Sequence, residues 1–230
     1  MKRLAFAIAA TLLVSSAAQA QVLNFEGINS TYPSGFAFVQ NFYNGGFSSD
    51  NTTGTNHGIT FSSNAQAICL NSLTVVCSNT SRGGLGDPNS QQGGLFFLSG
   101  NQTFMDRAAG FTTGFSFFYV SFSQPGSFTV WDGLGGTGNA LATLGLSANA
   151  GSCAGYGAGF CPFSAAGVSF AGTAYSVSFA GVADQIVFDD VTFGSSTPGT
   201  VVPEPTTVAL TAAGLLAMAA AARRRRQQTV

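Results

Sequence analysis

Gly114-Phe115-Ser116-Phe117-Phe118-Tyr119-Val120-Ser121-Phe122 decides the fold class of this chain. In an extended strand successive side chains point to opposite faces. Phe115, Phe117 and Tyr119 therefore share one face, and Ser116, Phe118 and Val120 the other. Phe118 and Val120 make the second face partly apolar as well. That predicts a strand covered on both sides, and hence a two-layer sandwich.

The same texture extends outward from this stretch. Helical periodicity is nearly absent between residues 21 and 200, where short runs of Phe, Val, Thr and Tyr are punctuated by Gly, Asn, Ser and Pro. Strands are predicted over 22–25, 35–42, 58–61, 95–98, 114–122, 127–131, 141–146, 167–170, 175–179 and 185–193. A glycine-rich connection at 133–139, a loop at 151–159 and longer polar loops at 44–56 and 79–92 separate them. The expectation is an all-β, antiparallel β-sandwich of jelly-roll type over residues 21–194. A Ser/Thr/Gly/Pro linker over 195–202 would follow it.

The two ends read as addresses. Lys2 and Arg3, an apolar run over 4–14 and the small pair Ala18 and Ala20 form the three parts of a secretory signal, 1–20, to be cut after Ala20 by signal peptidase. At the other end, 206–222 is an apolar stretch of seventeen residues followed by Arg223, Arg224, Arg225 and Arg226. As a helix it would be ~25 Å long, at the short limit for a transmembrane helix. The arginines would hold its end on the cytoplasmic side. A basic cluster abutting an apolar helix is a membrane flank before it is a nucleic-acid site.

Pro203-Glu204-Pro205, the apolar helix and the terminal arginines together resemble the PEP-CTERM sorting signal of Gram-negative bacteria, here 203–226. The resemblance implies processing by an exosortase, a membrane-embedded cysteine transpeptidase that cuts near the Pro-Glu-Pro. The family commonly continues Ser-Thr-Trp-Ala-Leu, where this chain has Thr206-Thr207-Val208-Ala209-Leu210. The implied route is export, inner-membrane anchoring in transit, and then the cell surface or extracellular matrix.

Between the two signals the charge balance is lopsided. Residues 21–200 carry Arg82 and Arg107 against eight Asp and Glu, a net of −6, and no lysine. Such a surface repels polyanions, which argues against nucleic acid and anionic lipid as partners. Its polarity rests on Ser, Thr, Asn, Gln and Gly, a surface suited to a polysaccharide matrix.

Cys69, Cys77, Cys153 and Cys161 form two pairs, each with a spacing of eight. In an exported chain an even count predicts disulfides, with three connectivities open. Local pairing, Cys69 with Cys77 and Cys153 with Cys161, is the expected one. Zinc is the alternative, but the short Cys-x-x-Cys spacing is absent and His57 is the only histidine.

Catalytic patterns are thin. Neither 82–86 nor 133–138 matches a phosphate-binding loop or precedes a helix. No G-x-S-x-G elbow exists, and His57 sits in a strand-entry turn. Eight acids could supply a carboxylate pair for a polysaccharide hydrolase, but nothing in the sequence selects one.

Two acidic segments stand out. Leu23-Asn24-Phe25-Glu26-Gly27 opens the domain, and Ile186-Val187-Phe188-Asp189-Asp190-Val191-Thr192-Phe193 closes it. Strict alternation would place Val187, Asp189, Val191 and Phe193 on one face, burying a carboxylate that an oxygen-ligated hard cation would stabilise. The two segments also resemble the first and last strands of jelly-roll carbohydrate-binding modules, which implies a structural Ca2+ held by Glu26 and Asp189, with Asp190 as the alternate. Trp131, beside the glycine connection, is the candidate for stacking on a sugar ring, with Tyr43 and Tyr156 in loops.

The sequence thus predicts a non-catalytic, exported surface or matrix protein without an obligate cofactor. A carbohydrate-binding module acting on exopolysaccharide is the alternative, and a polysaccharide hydrolase a remote one.

Overall fold

The computed structural model describes residues 21–31, 35–70, 93–153, 156–158 and 161–199, and Gly214. Fourteen strands lie among them: β1 Gln21–Leu23, β2 Phe36–Phe38, β3 Ile59–Phe61, β4 Gln66–Cys69, β5 Gly93–Phe96, β6 Gln102–Phe111, β7 Gly114–Ser121, β8 Gly126–Trp131, β9 Ala140–Leu146, β10 Ser152–Cys153, β11 Tyr156–Ala158, β12 Ser164–Ser169, β13 Ala174–Ala180 and β14 Ile186–Phe193. Short 3-10 turns occupy Phe42–Asn44 and Leu134–Gly136.

Every pairing is antiparallel. One sheet runs β12-β7-β14-β5-β4-β2, with β1 also on β14, and the other runs β3-β6-β13-β8-β9. The strands β10 and β11 form a separate hairpin. The chain crosses between the two sheets at β2–β3, β3–β4, β5–β6, β6–β7, β7–β8, β12–β13 and β13–β14. Such crossings close one core between two layers.

That core is phenylalanine. Phe117 meets Phe128 across the layers at 4.7 Å and Phe188 at 5.3 Å, both edge to face, and Phe179 lies 4.8 Å from Phe188. Offset ring pairs of this kind contribute about 0.5–1.5 kcal/mol each beyond the area they bury. The expected alternation of β7 holds on its core side, where Phe115, Phe117 and Tyr119 are buried. Its outer side is covered as well: Val120 joins Ile68, Leu70, Phe96 and Val187 in a second cluster, under Phe122, Ala150 and Phe163.

Several expectations shift. The strand over 22–25 ends at Leu23, because Phe25 takes a φ of 55°, in the left-handed region. The strand over 35–42 stops at Phe38 and gives way to the 3-10 turn. The strands β4 and β6 have no counterpart in the sequence reading, and the β10–β11 hairpin falls where a loop was expected over 151–159. The first residue of the expected linker lies back on the sheet: Ser116 Oγ donates to the Ser195 carbonyl at 2.9 Å, next to the domain's last residue, Gly194, whose N donates to Gly114 O at 2.9 Å.

The alternation expected for 187–193 fails. Ile186 and Phe188 face the core, and so do Val191 and Phe193. The parity switches at a bulge between Asp189 and Thr192, where Asp190 has a φ of 46°. One extra residue in a strand shifts every later side chain to the other face. Asp189 consequently does not share a face with Val191 and Phe193.

Among the described residues no helix is long and apolar enough to cross a membrane. The expected signal 1–20, the sorting motif 203–205, Cys77 and Arg223–Arg226 lie outside the described residues. The expected spanning segment 206–222 does too, except for Gly214, which is helical.

Candidate functional site

The bulge in β14 sits where that strand changes neighbours. Leu95 of β5 pairs with Phe188, whereas Leu23 of β1 pairs with Val191, both along the edge opposite β7. Counting back along β5 brings Gly93 level with Asp190, and counting on along β1 brings Asn24 level with the same residue. One strand therefore stops and another starts opposite Asp190. The gap between them is the floor of a cavity.

That cavity has a volume of about 660 Å3 and is lined by Asn24, Glu26, Tyr43, Thr55, His57 and Asp190, among others. The turn leaving β1 places Glu26, whose Oε1 accepts a hydrogen bond from Gly93 N at 2.9 Å. Gly93 is required at this point: a Cβ there would collide with the carbonyl of Phe25. Tyr43 supports the turn from below, its Oη accepting from Phe25 N at 2.9 Å. Asp190 is 3% exposed, and its carbonyl accepts from Thr192 Oγ1 at 2.8 Å. Thr192 Oγ1 in turn accepts from Gly199 N at 3.3 Å, which draws Gly199 to the cavity wall.

His57 forms the far wall. Its ring lies on Tyr43, with centroids 6.0 Å apart and planes 28° apart, and its backbone N donates to Tyr43 O at 2.8 Å. Burial, and then the nearby Arg107 cation, hold the imidazole below its ordinary pKa. Both influences favour the uncharged imidazole.

The sequence-predicted residues divide cleanly. Glu26 and Asp190 are brought together. Asp189 is fully buried, but it does not line the cavity, and its Oδ1 accepts the Asp190 N–H at 2.7 Å. Trp131 stands elsewhere, half-buried in β8, with its indole N–H donating to Ser178 Oγ at 3.1 Å. It has no part in the cavity. Cys69 and Cys161 are both buried and both disulfide-bonded, and Cys153 is described only in its backbone. Asn24, Tyr43 and His57 were not foreseen together as walls. The one available signal was the Asn24-Phe25-Glu26-Gly27 turn, whose Asn24 Oδ1 accepts from Glu26 N at 3.3 Å.

Two carboxylates with a neighbouring amide and hydroxyl, from Asn24 and Thr55, are the oxygen set that a hard cation takes. Among the described residues no cluster of three or more His, Cys, Asp and Glu converges on one point. A cation here would complete its shell with neutral oxygens and water.

No family model matches the chain, and no curated protein does. Solved structures that overlap part of it include the K1 and K3 cleaved adhesin domains of Lys-gingipain from Porphyromonas gingivalis W83. Each is 16% identical and covers 46% of this chain and 75% of its own, with TM-scores of 0.32 and 0.31. Overlaps at these scores are partial, and they assign neither ligand nor activity to this chain.

Proposed function

We propose that this chain is an exported, non-catalytic protein of the cell surface or extracellular matrix. Its folded unit is a jelly-roll-like sandwich delivered by the N-terminal signal and released or retained through the PEP-CTERM-like tail by an exosortase. The observation that carries this reading is the pairing of β1 with β14. The domain closes on itself immediately after the expected cleavage point at Ala20, and its last strand comes just ahead of Pro203-Glu204-Pro205. A non-catalytic role is supported by His57, the only histidine, whose ring packs on Tyr43.

The experiment is the intact mass of the protein recovered from an exosortase-bearing host that secretes it. The expected mass fits a chain from Gln21 to the neighbourhood of Pro203–Pro205. A mass that still includes Arg223–Arg226 would replace sorting by simple membrane anchoring.

Within this reading, Glu26 and Asp190 are the residues that would hold a structural Ca2+, tying the end of β1 and the start of β5 to the bulge of β14. Exopolysaccharide is the matrix partner that the sparsely charged, lysine-free surface suits. Retardation in a gel containing host polysaccharide tests that partner, and unchanged mobility would remove it.

A further inference from the structure

Two buried donors converge on Phe193 with nothing to accept them. Gln21 stands directly opposite Phe193 in the β1–β14 ladder. Directly opposed residues of an antiparallel pair project to the same face. Phe193 belongs to the core, and the Arg107 guanidinium lies over its ring at 5.3 Å. Gln21 Nε2 and Arg107 Nε are both buried without a hydrogen-bond partner. The large majority of buried side-chain donors are satisfied, so a pair of them at one ring calls for a physical account.

Removal of the signal would aggravate the defect. A peptide N–H at Gln21 would become an ammonium with three donors and a full charge, on the strand end that already meets the Arg107 cation across Phe193. A like charge nearby disfavours the charged form of an amine. A neutral terminus with a single N–H would suit this place far better.

We propose that Gln21, freed as the first residue by cleavage after Ala20, closes on itself to pyroglutamate. The uncharged α-amine attacks Cδ of its own side chain and the N–Cδ bond forms. The Cδ–Nε2 bond then breaks, and Nε2 leaves as ammonia with one of the amine protons. No co-reactant or change of oxidation state is involved, and the attack is intramolecular, which favours it strongly. The product loses the unpartnered Nε2, carries no charge beside Arg107, and keeps one N–H, as the peptide it replaces did. Mature β1 would then begin with a rigid lactam docked at Phe193.

This inference rests on the export reading, and one experiment separates the two. The full chain is expressed with its own signal in a secreting Gram-negative host, purified cold at neutral pH, and digested for tandem mass spectrometry of the N-terminal peptide. The expected peptide begins at residue 21 and is lighter than the glutamine form by one ammonia. A peptide beginning at residue 21 with an open amine overturns the cyclisation and leaves the export reading standing. A first residue other than Gln21 overturns the cleavage assignment, and this inference with it. The variant Gln21→Asn keeps the amide but would need a strained four-membered ring to cyclise, so it retains its amine. It should melt below the cyclised wild type, and a melting temperature equal to wild type overturns the structural role given to the lactam.

Discussion

Gly93 begins β5 with the Phe25 carbonyl occupying the place a side chain would take, and its N–H donates to Glu26. A methyl group at this position can be accommodated only by moving backbone, because the obstructing atoms belong to the turn that leaves β1. Gly93→Ala is therefore expected to destabilise the domain by about 1–3 kcal/mol, as measured by thermal or urea unfolding. An unchanged midpoint would mean that the turn is free to shift. His57 offers a cleaner electrostatic test. Its folded pKa lies below the ordinary imidazole value, through burial first and the Arg107 charge second. The unfolded chain therefore takes up the proton first as pH falls. Stability is complete above the ordinary value and declines on acidification through the interval down to the folded value. As the only histidine, its ring can be titrated by NMR without assignment. The expected midpoint is below that of a model imidazole, and His57→Gln should flatten the loss of melting temperature across the interval. A midpoint at or above the ordinary value would contradict the part-buried position near Arg107.

At the scale of elements, the bulge in β14 decides the site, because it turns Asp190 into the gap between β1 and β5. Its φ of 46° is one that Asp and Asn tolerate and that costs most other residues about 1–2 kcal/mol. Asp190→Asn should keep the backbone while removing the charge, and Asp190→Ala should lose both. In chelator, the alanine variant is expected to melt well below the asparagine variant. Added calcium should raise the melting temperature of wild type but of neither variant. A calcium shift that survives in Asp190→Asn would remove Asp190 as a ligand. This element also shows where sequence reading reaches its limit. The aromatic alternation of 114–122 was legible because one face of β7 packs uniformly on phenylalanine. The alternation of 186–193 misled because a bulge leaves no mark in a run of apolar and acidic residues. The strand β6 stayed hidden for a different reason. Its Asp106, Arg107, Ala108 and Ala109 look like loop, yet Asp106 Oδ1 accepts from Gly135 N at 2.7 Å and Arg107 lies over Phe193. Those polar groups serve partners distant in sequence, which no local pattern reveals. For the site itself, Glu26 and the Asp189–Asp190 pair could be picked out as acids at the two ends of the domain. Which aspartate would meet Glu26 depended on the bulge.

At the scale of the molecule, the sandwich carries its second apolar cluster on the outside of one sheet, and the disulfides are placed to hold it. Cys69 ends β4 one residue after Ile68 and one before Leu70, both members of that cluster. Cys161 lies in the loop whose Ala150 and Phe163 cover the cluster from above, and its carbonyl accepts from Gly151 N at 2.7 Å. With its few charges, the surface offers little ionic cross-linking to replace these bonds. If the pairing is local, each bond closes a loop of about nine residues, worth roughly 2.6 kcal/mol in the chain-entropy treatment. A stability change of 1 kcal/mol moves the melting temperature of a domain this size by about 2–4 °C. Complete reduction is therefore expected to lower it by roughly 10–20 °C, in calorimetry with and without reductant. Peptide mapping of the unreduced protein should return Cys69 with Cys77 and Cys153 with Cys161. A long-range bridge between the two halves would close a much larger loop and predicts a steeper loss on reduction. A melting temperature indifferent to reductant would show that the outer cluster is held by apolar packing alone. The covering loop would then be expected to exchange its amide protons no faster after reduction than before.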